Sequence, residues 1–114
     1  MSNMRKAQVY RNQLLAGTLT ELRPQEYVFR YDDTYFADPA SPAISLTLPN
    51  KQQEYRSEYL FPFFFNMLSE GVNRDLQSRQ LQIDERDYFG LLLATAQYDA
   101  IGAVTLKPIQ ENKA

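Results

Sequence analysis

The paired carboxylates of this chain are Asp32-Asp33 and Asp84-Glu85. Neighbouring carboxylates can divide acid and base roles when their surroundings push the two pKa values apart. Here the first pair follows a strand-like run and precedes a loop, the usual place for solvated turn residues. The second pair stands just ahead of an apolar run, where a carboxylate caps a helix. With no histidine and no cysteine, the chain lacks an imidazole for proton transfer, a thiolate nucleophile and the common zinc ligands. A site for Mg²⁺ or Ca²⁺ built from carboxylates alone stays open in principle, but no grouping of residues points to one. Its glycines, at positions 17, 71, 90 and 102, are too dispersed to form a phosphate-cradling loop. The expectation is therefore no catalytic residue, no metal and no cofactor.

The remaining chemistry is recognition. Between Leu60 and Gly71 the chain reads Leu-Phe-Pro-Phe-Phe-Phe-Asn-Met-Leu-Ser-Glu-Gly, with Phe61, Phe63, Phe64 and Phe65 inside five residues. Pro62 suits the first turn of a helix, where a missing N–H costs nothing. At about 100° per residue, Phe61, Phe64, Phe65 and Leu68 share one face and Phe63 and Met67 the opposite one. The first face reads as core. The second either caps another layer of core or waits for a partner, since aromatics and methionine anchor interfaces. Phe63, Phe65, Asn66, Met67 and Glu70 are the candidate partner-binding residues, with at least two of Phe63, Phe65 and Met67 expected to be exposed.

Strands must hold that helix in place. Residues 6–20 read as a β-hairpin turning at Arg11-Asn12-Gln13, and Tyr27–Tyr31 as a third strand that ends at Asp32-Asp33. Pro39, Ser41 and Pro42 punctuate a loop. Ala43–Leu48 alternates apolar and polar residues and predicts a half-buried strand stopped by Pro49. A helical segment opening at Ser57 or Glu58 contains Pro62, a second helix runs from about Ser69 to Leu81, and Asp84 caps a third through Ala94. Gly102–Lys107 alternates again as a closing strand, which must pair back into the sheet to satisfy its ladder groups. The fold class expected is α+β: an antiparallel sheet of about five strands, with about three helices inserted before the last.

At 114 residues the chain suits a single domain, residues 1–114, with an ordered core over about 5–109. Met1-Ser2-Asn3 reads as preceding a natural start at Met4. Twelve basic and 14 acidic side chains leave a net charge of −2, which offers little to a phosphate backbone, so no direct nucleic-acid contact is expected. No apolar run approaches the roughly 18 residues a membrane helix needs, and no signal-peptide core stands at the start. No membrane association and a cytoplasmic location are expected; the lack of cysteine suits that compartment.

Five ordered blocks resemble the N-terminal subdomain of HipA-type Ser/Thr kinase toxins. Val9-Tyr10-Arg11-Asn12-Gln13-Leu14-Leu15-Ala16-Gly17-Thr18-Leu19 is similar to the family's opening strand–turn–strand. Phe29-Arg30-Tyr31-Asp32 with Tyr35, and then Ile44–Pro49, match the next two blocks. Pro62-Phe63-Phe64, Asn66-Met67-Leu68 and Glu70-Gly71 resemble the Pro-Phe-Phe-Glu-Asn-Leu-Leu-Pro-Glu-Gly signature. Asp99 with Gly102-Ala103-Val104 resembles the closing segment. The match spans residues 7–107. Phe65 replaces the family's polar Glu, Ser69 its Pro, and Tyr98 the glycine before Asp99; a phenylalanine at a normally solvated position argues for exposure.

A full kinase of this type continues into nucleotide-binding and catalytic lobes, so the resemblance implies no activity for this subdomain alone. It implies instead the small component of a split toxin–antitoxin system, an antitoxin that binds and inhibits a separate HipA-like kinase chain lacking this subdomain. A helix–turn–helix DNA-binding protein often completes such a complex. The opposite sign, an activating or structural subunit that completes a split kinase, uses the same interface. An unrelated small interaction adaptor is the third alternative.

Overall fold

The structure, a computed structural model, describes residues 5–68, 76, 78–84, 86–95 and 104–109. β1 (Arg5–Arg11) and β2 (Leu14–Arg23) form the hairpin. Asn12 and Gln13 make its turn with φ of 51° and 68°. Two consecutive positive φ values give the mirror-image turn whose twist matches the flanking strands, and asparagine tolerates that conformation better than most residues. Val9 faces Gly17 but Tyr10 faces Leu15, so Ala16 is the extra residue of a bulge. On its other side its carbonyl accepts the Asp32 N–H at 2.8 Å, carrying the β2–β3 pairing one residue past Tyr31.

β3 (Glu26–Tyr31), β4 (Glu54–Ser57) and β5 (Val104–Ile109) complete a five-stranded antiparallel sheet in the order β4-β3-β2-β1-β5. The last strand pairs with the first, as its ladder groups require. One face carries rows of facing residues: Ala7, Leu19, Phe29 and Tyr55, then Val9, Gly17 and Tyr31, with Leu106 opposite Val9. A Cβ on Gly17 would stand 2.5 Å from the Arg30 carbonyl and 2.8 Å from the Phe29 ring. The bare backbone there is what lets the Phe29 ring approach so closely.

Helices cover that face. α1 (Asp33–Ala37) follows β3, α2 (Pro62–Phe65) follows β4, and α3 (Tyr88–Thr95) precedes β5. Residues 78–81 are also helical. Phe64 from α2 and Phe89, Leu91 and Leu92 from α3 join the buried cluster built on Leu19, Phe29 and Tyr31. The fold is α+β with the helices of the second half placed between β4 and β5.

Several expectations give way. Residues 43–48 form no strand: Ser45 bridges Leu48 across a tight turn, the Leu48 N–H donating to the Ser45 carbonyl at 3.1 Å. The alternation is broken with the strand: Ile44 and Leu48 are buried, but Leu46 between them is 99% exposed. Tyrosines replace the missing ladder. The hydroxyls of Tyr31, Tyr35 and Tyr55 donate to the carbonyls of Leu48, Pro42 and Pro49, so side chains rather than a partner strand bond the backbone at the segment's end and on either side of it. The fourth strand is Glu54–Ser57, overlapping the residue expected to open a helix, and α2 begins only at Pro62.

Asp32-Asp33 opens a helix rather than a loop. Asp32 accepts from the N–H groups of Thr34 and Tyr35 at 3.1 and 3.3 Å. Asp87, not Asp84, caps α3; Asp84 makes a local turn by accepting from the Arg86 N–H at 2.9 Å. β5 runs on through Pro108, which an edge strand tolerates because its outward N–H has no partner. Most of the helix expected from Ser69 lies outside the described residues, as do Asp99 and Gly102-Ala103.

Candidate functional site

A polar row ends the apolar face of the sheet. Arg5 stands opposite Glu21, and Glu21 opposite Tyr27. Glu21 is buried at 6% exposure, a state a carboxylate tolerates only when paired and hydrogen-bonded. Arg5 supplies the partner: its Nε and Nη2 donate to Oε1 of Glu21 at 2.8 and 2.6 Å. Its other edge clasps Asp87, Nη1 to Oδ2 and Nη2 to Oδ1, both at 2.9 Å. Two parallel N–H donors on one carboxylate form the fork geometry that makes arginine pairs directional. The guanidinium also rides over the Phe89 ring at 5.4 Å.

Asp87 has a second task. Its Oδ1 accepts the Gly90 N–H at 3.1 Å, and its carbonyl accepts from Leu91 at 3.0 Å, so it is the N-cap of α3. A Cβ at Gly90 would come within 2.3 Å of Asp87 Oδ2 and 3.1 Å of Arg5 Nη1. Glycine in this first helical turn makes room for a carboxylate curled over it. The Arg5 hydrogen bonds hold the Asp87 carboxyl below its usual range, and those to Asp87 in turn hold the Arg5 guanidinium well above its own. Burial raises the Tyr27 phenol, and the charge and hydrogen bond of neighbouring Glu21 push it the same way.

Over this floor opens a groove of about 640 Å³. Its walls are the rings of Tyr27, Tyr59, Phe65 and Tyr88, with Glu58 and Arg86 among the residues lining it. Phe65 meets Tyr88 edge to face, ring centroids 5.2 Å apart at 88°. Tyr59 is 74% exposed. Among the described residues no three of Asp and Glu gather as a metal cage; the carboxylates that converge, Glu21 and Asp87, are both taken by Arg5.

The expected binding residues divide. Phe65 reaches the groove. Phe63 is half-buried and leans edge-on against Phe64 at 5.3 Å. Asn66 is exposed, and Glu70 lies outside the described residues. Met67 is buried at 6% exposure and cannot serve as an anchor. Nor are two of Phe63, Phe65 and Met67 exposed, since the two phenylalanines are half-covered by their own domain.

The wheel placed Phe61, Phe64 and Leu68 in the core, where they are, but misplaced Met67, because α2 is a single turn continued by tighter bonds. Met67 and Leu68 donate to the carbonyls of Phe64 and Phe65, three residues back, at 3.0 Å each. At three residues per turn, positions i and i+3 eclipse, so Phe61, Phe64 and Met67 form the inward stripe. Arg5, Glu21 and Asp87 were missed as a group. Their one sequence-level signal is a carboxylate at an inward position of a strand, where alternation demands an apolar residue.

The model of the HipA N-terminal domain matches residues 7–107. The chain belongs to the HipA N-terminal domain family. An uncharacterized protein of Haemophilus influenzae is 34% identical over 85 residues, covering 75% of this chain and 73% of that one. In this HipA N-terminal domain the resembling motifs are structural in detail: Asn12 turns the hairpin, Gly17 admits Phe29, and Pro62 starts α2. Arg5 lies ahead of the matched stretch, while Glu21 and Asp87 lie inside it. None of the described helices is long and apolar enough to cross a membrane.

Proposed function

We propose that this HipA N-terminal domain is a non-catalytic regulatory protein that binds and restrains a separate HipA-like Ser/Thr kinase chain lacking the domain. The observation that carries the reading is Phe65, a half-buried aromatic at a position where the resembling signature has Glu, standing edge to face with Tyr88 at the mouth of a groove. A solvated position that has become aromatic is the compositional mark of an interface core. Phe63 on α2 and Asn66 at its C-terminal cap lie beside it, and a helix–turn–helix protein joins through the complex rather than through this chain. The domain itself transfers no phosphoryl group in this reading.

Co-purification with a HipA-like kinase chain that lacks this domain, using Phe65→Ala and Phe64→Ala, tests it. Phe65→Ala should weaken the complex by about 2 kcal/mol and release the kinase's toxicity in cells. Phe64 is fully buried, so Phe64→Ala should instead lower folding stability by about 3–5 kcal/mol. Equal binding by wild type and Phe65→Ala would remove the role of this surface. If co-expression of the wild-type chain raises kinase toxicity, the chain is an activating subunit and the sign of the proposal is wrong.

A further inference from the structure

The groove over the Arg5 clasp has a chemistry that selects its occupant. Its lining places the carboxylates of Glu21, Glu58 and Asp87 against the guanidiniums of Arg5 and Arg86, one negative charge in excess. Arg5 is spent, since its donors are already divided between Glu21 and Asp87. Glu58 is exposed and makes no hydrogen bond or ion pair among the described residues. The rest of the lining is mostly aromatic, Tyr27, Tyr59, Phe65 and Tyr88, with Pro24, Gln25 and Leu60 beside them.

Three kinds of guest can be weighed on these facts. An anion could turn only to Arg86, and it would meet Glu58, a net negative lining and the negative faces of aromatic rings. A purely apolar side chain would use the rings but strip water from Glu58 without replacing it. A cation on an aliphatic stem satisfies both halves: stem and charge lie against the rings, and the charged head reaches a carboxylate.

We propose that the groove receives an arginine or lysine side chain from the protein partner, gripped between the Tyr59 and Tyr88 rings and paired with Glu58. This rests on the reading of the domain as a partner-binding module and names the chemistry of the segment it holds. Glu58 and Tyr59 are exposed, so both can be changed without disturbing the core.

The test needs no kinase. The isolated chain is titrated with N-acetyl-arginine amide, N-acetyl-norleucine amide and N-acetyl-glutamate amide while the tyrosine ring protons are followed by NMR. The arginine probe should give saturable shifts at Tyr59 and Tyr88 with a Kd on the order of millimolar, and the other two should not. Glu58→Gln and Tyr59→Ala should each weaken the arginine probe by about threefold to tenfold, the scale of one exposed cation contact. Equal binding of norleucine, preferential binding of glutamate, or no saturation by arginine would each overturn the proposal. Failure of kinase restraint with intact arginine binding would count against the function proposed above and leave this site standing.

Discussion

Gly90 sits in the first turn of α3, where alanine would ordinarily be the better helix former by about 1 kcal/mol. It is glycine because the Asp87 carboxylate, held by Arg5, occupies the space a methyl group would need. Gly90→Ala should therefore destabilise the domain by about 1–2 kcal/mol in urea unfolding, the scale of losing one cap. In an Asp87→Ala background the obstacle is gone, and the same change should become neutral or stabilising. A cost that persists in that background would show that the cap is not the cause. No sequence pattern announces such a position, since a glycine in a helix is excused by many contexts. The aromatic cluster at 61–65 was legible as an element start and as core. Which of its rings turn outward was not, because the answer depends on whether the turn closes at three or four residues.

Among the elements, the segment between α1 and β4 is the clearest case of tertiary bonds overriding local pattern. Ala43–Leu48 alternates as a strand does, yet no neighbouring strand is offered to it. Tyr31 holds it from beneath, donating to the Leu48 carbonyl and accepting from the Ile44 N–H at 3.1 Å. Tyr31→Phe leaves both groups buried without a partner and should cost about 1–3 kcal/mol.

The phenol also predicts a pH response. Burial pushes the Tyr31 pKa up to about 12, against an ordinary value near 10. Between those values the folded state keeps a proton that the unfolded state has released, so stability falls as pH rises through that window and is unaffected below it. Urea midpoints from neutral pH to about pH 11 should decline for wild type and decline less for Tyr31→Phe. Identical profiles would assign the alkaline loss to other tyrosines. The hairpin, the third strand and the closing strand were readable because each pairs with a neighbour its pattern already anticipates. The fourth strand was not: Glu-Tyr-Arg-Ser has little strand character and forms only because β3 presents an open edge.

At the scale of the molecule the outer edge left by β4 is managed by charge. Arg23, Glu26, Arg56, Glu54, Arg30 and Asp33 link in a zigzag, with successive separations of 3.0, 3.8, 2.9, 3.6 and 3.2 Å. Partly or largely exposed pairs of this kind contribute about 0–1 kcal/mol each, so the chain of charges is a poor source of stability. Its position along a short edge strand is the usual defence against pairing with another copy. Replacing Glu54 and Arg56 together by threonine should shift the melting transition little but promote self-association on sedimentation. An unchanged monomer would dismiss the edge role.

The pairing of the last strand with the first also dictates when the fold can exist. During synthesis β1, β2 and β3 are available early, and hairpin closure is local and fast. β5 must travel back across nearly the whole chain to reach β1, a contact of high sequence separation that forms late and slowly. Until it arrives, Ala7 and Val9 lie on a strand with one unpaired side, and the apolar face around Leu106 is unfilled. A nascent chain stalled before Val104 is thus both sticky at its first strand and open to proteases. How often the finished domain opens to such cleavage is set by how often that final strand lets go.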